Sequence, residues 1–226
     1  MEIINKVKIK YVKYIYGDHN LSRSVKKSLG KLIRDLPPNG RGLNIGAGDT
    51  IFDNKILNLD LHKKEGIDLV GSVEKIPTED SKFDLLICQE VLEHVENPHL
   101  ALREMYRVLK PSGKLFLQVP FIIGYHPCPN DYWRFTDDGL KYIVKINKFE
   151  ILKVGETVGS ATGFYRISVE FFSILFSLPF SFLYRPFKAF FALFFYPIKF
   201  LDNLLKFSPE KSRISGGNYV VCQKSF

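Results

Sequence analysis

Residues 41–60 read RGLNIGAGDTIFDNKILNLD, and this stretch decides the fold. Leu43, Asn44 and Ile45 read as a short buried strand that Gly46-Ala47-Gly48 ends sharply. Glycine there lets the backbone turn with positive φ and lets a ligand approach without meeting a Cβ. A second strand, Lys55–Leu59, delivers the Asp60 carboxylate at its C-terminal end. In an open α/β sheet, ligands sit outside the carboxyl ends of the strands. A glycine turn beside an acidic strand end therefore suits a nucleoside, the carboxylate accepting hydrogen bonds from ribose hydroxyls. A plain tight turn capped by Asp60 is the competing reading of the same residues.

Working outward, residues 83–120 run FDLLICQEVLEHVENPHLALREMYRVLKPSGKLFLQVP. This is a strand, a helix, a Lys-Pro-Ser-Gly turn and another strand. Phe83–Cys88 is apolar on both faces, as a buried parallel strand should be. Asn97 can cap the helix, with Pro98 at its first position. Leu69-Val70 reads as a third short strand, residues 137–147 as a helix and Phe149–Gly155 as the sixth strand. The pieces Asn44-Ile45-Gly46-Ala47-Gly48, Asp60, Ile76-Pro77, Phe83-Asp84, Glu93-His94 and Leu109-Lys110-Pro111-Ser112-Gly113 occur in this order. Over residues 40–155, with a last strand near 218–224, the chain resembles the class I S-adenosylmethionine (SAM) dependent methyltransferases. The likeness is greatest to the group with the small-molecule "type 11" domain.

The resemblance implies an α/β, Rossmann-like class I methyltransferase sheet, mostly parallel with an antiparallel last strand. It also implies SAM as cofactor. Asn44, Gly46, Ala47 and Gly48 would line the cofactor's methionine and ribose parts, and Asp60 would hold both ribose hydroxyls. Ser72, Val73 and Glu74 would form the adenine loop, and Cys88 and Gln89 would lie near the reactive methyl. Glu93-His94 would be structural. One departure matters: only eleven residues separate Gly48 from Asp60, against about 20 in a full β-α-β unit. The usual first helix must be absent or reduced to a turn, and its N-terminal dipole is lost as a cofactor anchor.

The acceptor side is expected in His126-Pro127-Cys128-Pro129-Asn130-Asp131-Tyr132-Trp133-Arg134-Phe135-Thr136, which follows the fifth strand. His126, Asp131 and Tyr132 are the candidate catalytic residues, able to bind an acceptor or remove its proton. Similar loops occur in methyltransferases linked to surface-glycan synthesis. The alternative is a rigid lid in which Trp133 and Phe135 pack and Arg134 pairs with Asp131. His126 and Cys128 lie close together, but no second pair supplies zinc-ligand spacing, so no metal is expected.

The chain has 226 residues, 46% hydrophobic and 25% charged, the balance of a globular domain with an appendage. Its three cysteines lie far apart, which fits a reduced, cytoplasmic setting. The net charge of +8 is uneven, with nine Lys or Arg in residues 1–34 against Glu2 and Asp18. Such a block suits an anionic surface, or else a solvated helix face. Residues 1–40 are expected to be a basic helical segment, with one helix over 3–16 and another over 21–36; lysines interrupt any signal-peptide core. The methyltransferase core then spans 41–163.

Composition changes abruptly from Phe164 to Phe207, which carry 13 of the 20 phenylalanines. Residues 164–212 read as a Phe-rich α-helical insertion between the last two strands, with 213–226 returning as a final edge strand. Uncharged runs such as Phe171–Tyr184 are too short to span a bilayer. Short helices broken at Pro179, Pro186 and Pro197 would instead lie in an anionic membrane interface, facing the cytoplasm. An ordinary helical subdomain, or a contact between two copies through 164–207, would bury the same rings. The expected acceptor is therefore a small molecule, lipid or lipid-linked glycan at a membrane. A non-catalytic membrane-docked module with a SAM-like pocket is the alternative. A nicotinamide-dependent oxidoreductase lacks its third glycine, where Ile51 stands. A nucleic-acid methyltransferase lacks an Asn/Asp-Pro-Pro-Tyr/Phe motif after the fourth strand, so no nucleic acid is expected.

Overall fold

In the chain's middle, four parallel strands carry the buried apolar runs that the sequence places there. The computed structural model describes residues 22–52 and 55–225, so the expected helix over 3–16 lies outside the described residues. The strands are β1 (Gly42–Ile45), β2 (Ile56–Asp60), β3 (Leu69–Val70), β4 (Phe83–Gln89), β5 (Leu109–Pro120), β6 (Phe149–Val158) and β7 (Gly217–Lys224). They form one seven-stranded sheet in the order β3-β2-β1-β4-β5-β7-β6. β3, β2, β1, β4 and β5 pair in parallel, and the last strand is antiparallel. Every residue of β1 is buried, which is what a central parallel strand requires.

Three helices belong with the sheet: α1 (Arg23–Arg34), α2 (Pro98–Val108) and α3 (Asp137–Ile146). Asn97 accepts the Leu100 N–H at 3.1 Å with Pro98 at the first helical position, and Thr136 accepts the Gly139 N–H at 3.0 Å. Ala101, Leu102, Met105 and Val108 of α2 are fully buried, and they share one core with Leu43, Ile45, Leu86 and Leu117 of the sheet.

Two compact units divide the chain. Among the described residues, one holds Lys27–Pro120, His126–Gly155 and Asn218–Ser225; the other holds Ser22–Lys26, Phe121–Tyr125 and Glu156–Gly217. The second contains α4 (Ser160–Phe176), α5 (Tyr184–Phe194), a short α6 (Asp202–Leu205) and several 3-10 turns. Its small core is Tyr165, Val169, Phe191 and Ala192, with Phe172, Phe187, Phe195 and Ile198 packed against them. The Tyr165 hydroxyl donates to the Ala192 carbonyl at 3.0 Å. Asp202 caps α4, accepting from Ala161 N at 2.8 Å, Thr162 N at 3.2 Å and Thr162 Oγ1 at 2.5 Å. A Cβ on Gly159 would lie 2.3 Å from Asp202 Oδ1, so the cap needs glycine before the helix.

Three expectations need correction. The Lys-Pro-Ser-Gly segment is not a turn outside the strand. Pro111 has no N–H and cannot continue α2, so the chain goes extended at Leu109 and β5 takes up the extra residues as a register shift between Phe83↔Leu109 and Leu85↔Lys114. β7 is not an edge strand: it lies between β5 and β6, and its first six residues are buried. Pro186 does not break a helix either. It sits in the first turn of α5, where no intrahelical N–H is needed.

Candidate active site

β1 runs straight into the glycine turn. Gly46 and Gly48 have φ of +64° and +51°, conformations that L side chains resist. A Cβ on Gly46 would lie 2.3 Å from Val91 Cγ2, whereas one on Gly48 would meet, among the described residues, only the Gly46 carbonyl, at 4.0 Å. The Gly48 N–H donates to Asp60 Oδ2 at 2.9 Å, and the Ala47 N–H to the Leu59 carbonyl at 3.0 Å. Asp60 Oδ1 accepts the His62 N–H at 3.3 Å. A carboxylate oxygen has two acceptor sites, so a half-buried Asp60 can brace the turn and still accept two ligand hydroxyls. The two readings of Asp60 are thus compatible, and the residues present fit SAM.

Among the described residues no helix joins Gly48 to β2. Asparagines hold the short loop instead. Asn44 Nδ2 donates to the Thr50 carbonyl at 2.8 Å and to Asn58 Oδ1 at 3.1 Å. Asn58 in turn exchanges hydrogen bonds with the Phe52 backbone, at 3.2 and 2.9 Å, and its N–H donates to Asp68 Oδ2 at 2.7 Å. The Asn44 side chain is buried and directed to this loop; sequence reasoning missed its partner Asn58.

The expected adenine loop leaves β3. The Gly71 N–H donates to the Asp60 carbonyl at 3.0 Å, which ties this loop to the backbone at the end of β2. Ser72 Oγ accepts the Glu74 N–H at 3.1 Å, Val73 is buried, and Glu74 Oε1 accepts the Asn97 N–H at 3.1 Å. Arg107 staples the same loop to α2, donating to the Ile76 and Thr78 carbonyls, both at 2.9 Å, and to Glu104 Oε1 at 2.8 Å. The sequence offered a signal for it: Glu104 and Arg107 are three apart on one helix.

At the end of β4, Cys88 is fully buried, and burial pushes its thiol pKa up, with Glu93 and Glu90 adding to the effect. Gln89 Nε2 donates to Gln118 Oε1 and Gln118 Nε2 to Glu90 Oε1, both at 3.0 Å, linking the ends of β4 and β5.

Beyond them stands the feature the sequence did not foretell. Glu93 is fully buried, and neither carboxylate oxygen has a hydrogen-bond partner among the described residues. Its Oε1 lies 3.5 Å from His94 Nε2 and 3.6 Å from His126 Nε2. Burial pushes the Glu93 carboxyl pKa above the ordinary carboxylate range. The loop 126–136 is folded over this group. Tyr132 and Trp133 donate their N–H groups to the Glu93 carbonyl at 2.8 and 3.2 Å, and Trp133 Nε1 donates to the Val95 carbonyl at 2.9 Å. The Tyr132 hydroxyl donates to Glu96 at 3.2 Å, while Trp133 stacks on the buried Phe135. Asp131 accepts a two-pronged contact from Arg134, at 2.5 and 2.6 Å, and the His126 N–H at 2.9 Å. Arg134, ahead of the His126 contacts, pulls the Asp131 pKa down to about 2. The structure therefore brings His126 to Glu93-His94, keeps Asp131 with Arg134, and sets the Tyr132 hydroxyl against Glu96.

A seven-stranded sheet in this order, with a glycine turn and an acidic strand end at its carboxyl edge, defines a class I nucleoside-binding methyltransferase fold. Residues 47–117 match the family model described as a methyltransferase domain. This stretch is a class I, SAM-dependent methyltransferase domain. The chain is 31% identical over 130 residues to the uncharacterized protein MJ1123 of Methanocaldococcus jannaschii, covering 53% of this chain and 62% of that one. It is 29% identical over 127 residues to the ubiquinone/menaquinone biosynthesis C-methyltransferase UbiE of Vibrio vulnificus, 53% of this chain and 44% of that one. The chain thus spans less than two thirds of the length of these relatives. Phosphoethanolamine N-methyltransferase 2 of Haemonchus contortus, in complex with phosphomonomethylethanolamine and S-adenosylhomocysteine, shares the fold. Its TM-score is 0.59 at 15% identity, covering 96% of this chain and 57% of that one.

Proposed function

We propose that this chain transfers a methyl group from SAM to a small-molecule, lipid or lipid-linked glycan acceptor at a membrane surface. The observation that carries the transfer itself is the Gly48–Asp60 contact at the carboxyl edge of the sheet, next to the strand end that carries Cys88 and Gln89. Methyl transfer is a direct displacement, so it needs the donor and acceptor held close and in line more than it needs a strong base. Asp60 and the glycine turn hold the donor. His126 lies beside Glu93 and His94 and faces the acceptor as the group that takes its proton. Asp131, with its low pKa and its Arg134 partner, is a poor base and serves to position His126. The Tyr132 hydroxyl acts on the acceptor only through release from Glu96.

The membrane part rests on the α4–α5 unit. Phe171, Phe176, Phe182, Phe194 and Phe207 are each more than half exposed, far more aromatic surface than scattered apolar residues leave. No helix among the described residues is long and apolar enough to cross a membrane. These rings fit an interfacial contact, with Lys199 and Lys206 at the headgroups. Incubating the protein with labelled SAM and a membrane lipid extract tests the whole reading. A labelled lipid-soluble product is the expected result, and transfer only to water-soluble acceptors would remove the membrane from it. NADH bound more tightly than SAM would revive the oxidoreductase.

A further inference from the structure

Glu93, His94 and His126 form a cluster that holding SAM does not require, and we propose that it binds one first-row divalent cation of the zinc or cobalt type. Each residue offers one ligand atom, and these atoms all lie within 4.8 Å of one another. The two edges that meet at Glu93 Oε1 measure 3.5 and 3.6 Å. Ligands about 2.1 Å from a tetrahedral ion stand about 3.4 Å apart, so these edges are already near the right length. Glu93 is the second, independent observation. Its carboxylate is wholly buried and, among the described residues, neither oxygen has a hydrogen bond, an arrangement that is costly unless a cation answers it.

The imidazoles are oriented for the task. His94 Nδ1 lies 2.5 Å from the Asn130 carbonyl and donates to it, which leaves the Nε2 lone pair facing Glu93. Metal-binding histidines are commonly fixed by such a contact on the far nitrogen. His126 Nδ1 has Asp131 Oδ2 at 3.4 Å and Arg134 Nη2 at 3.2 Å. Metal binding selects the tautomer in which Nδ1–H faces Asp131, whose carboxylate also answers the Arg134 charge. Two nitrogens and one oxygen favour a first-row ion over magnesium or calcium, which prefer oxygen shells. Three protein ligands leave a position open for an outside oxygen.

The role of the ion rests on the proposed methyl transfer. It narrows the acceptor to a hydroxyl, which a bound cation makes easier to ionise. With the ion bound, His126 Nε2 is a ligand and no longer takes the acceptor's proton: the hydroxyl proton leaves to solvent, the oxygen pair forms the C–O bond, and the C–S bond breaks with its pair returning to sulfur.

The test is titration of Co2+ alone into the chelator-stripped full-length protein, followed by visible absorption, with SAM affinity measured in parallel by calorimetry. One Co2+ per chain, displaced by Zn2+, is expected. Glu93→Gln, His94→Gln and His126→Gln should each weaken uptake at least tenfold while circular dichroism and SAM affinity stay as they were. No cobalt band, or equal uptake in all three variants, overturns the site. A protein that binds SAM but no Co2+ loses the metal alone. One that binds Co2+ through these residues but no SAM keeps the site and overturns the methyltransferase reading.

Discussion

Asp60 shows how one side chain can brace a turn and keep room for a ligand. It accepts the N–H groups of Gly48 and His62 and keeps acceptor capacity on each oxygen. Asp60→Ala should weaken SAM binding by about 2–3 kcal/mol, the scale of losing hydrogen bonds to a charged group, and calorimetry measures it. Gly46→Ala has a different origin, a clash with Val91 and a positive φ. It should lower stability by more than about 1 kcal/mol, visible as a reduced midpoint in urea. Asp131 makes a pH statement. Its folded pKa of about 2 lies below the ordinary 3.8, because Arg134 favours the carboxylate. A depressed pKa contributes stability above about pH 4 that is lost as pH falls toward about 2. Arg134→Gln should therefore flatten the acid limb of stability against pH, and an unchanged limb would remove this pair from the account.

At the scale of elements, loops are pinned by side chains where helices usually do the work. Among the described residues, the asparagine pair Asn44 and Asn58 holds the segment where a first helix would stand, and Asp202 from a distant segment closes the start of α4. Removing that carboxylate as Asp202→Ala should cost about 0.5–2 kcal/mol, the usual value of an N-cap. The 126–136 loop should govern turnover: His126→Ala should lower kcat and leave SAM affinity nearly unchanged. If the variant keeps full activity and only melts earlier, the loop is a lid. Much of this level was legible in the sequence. Asn97-Pro98 announced α2, and Gly46-Ala47-Gly48 announced the turn. The centre at Glu93 was not, because its burial is produced by a loop some thirty residues later, which no local pattern encodes. The bulge in β5 escaped for a related reason: Pro111-Ser112-Gly113 is also the composition of a turn.

At the scale of the whole molecule, the parallel strands were readable from their continuous apolar runs, and the helical insertion from its phenylalanines. The inner place of β7 had a signal too, since Tyr219-Val220-Val221-Cys222 is apolar without alternation, as in a strand buried on both faces. What the rings of the α4–α5 unit meet is a matter for liposomes. Vesicles with anionic lipid should carry the protein upward in a flotation gradient, less so at high salt. Replacing Phe182, Phe194 and Phe207 by serine should abolish flotation. A protein that stays at the bottom, or that is a stable dimer losing its second copy in the same variant, would assign the rings to protein contact.

The place of β7 has a consequence for synthesis. The strand that fills the slot between β5 and β6 is translated only after residues 159–216. At roughly 5–20 residues per second, a ribosome needs some 3–12 s to make that stretch. Through that interval the nascent sheet has two unfinished edges facing an empty lane, and open edges recruit other strands. The emerging chain must be shielded there, by a chaperone or by its own growing helices, until the missing strand arrives.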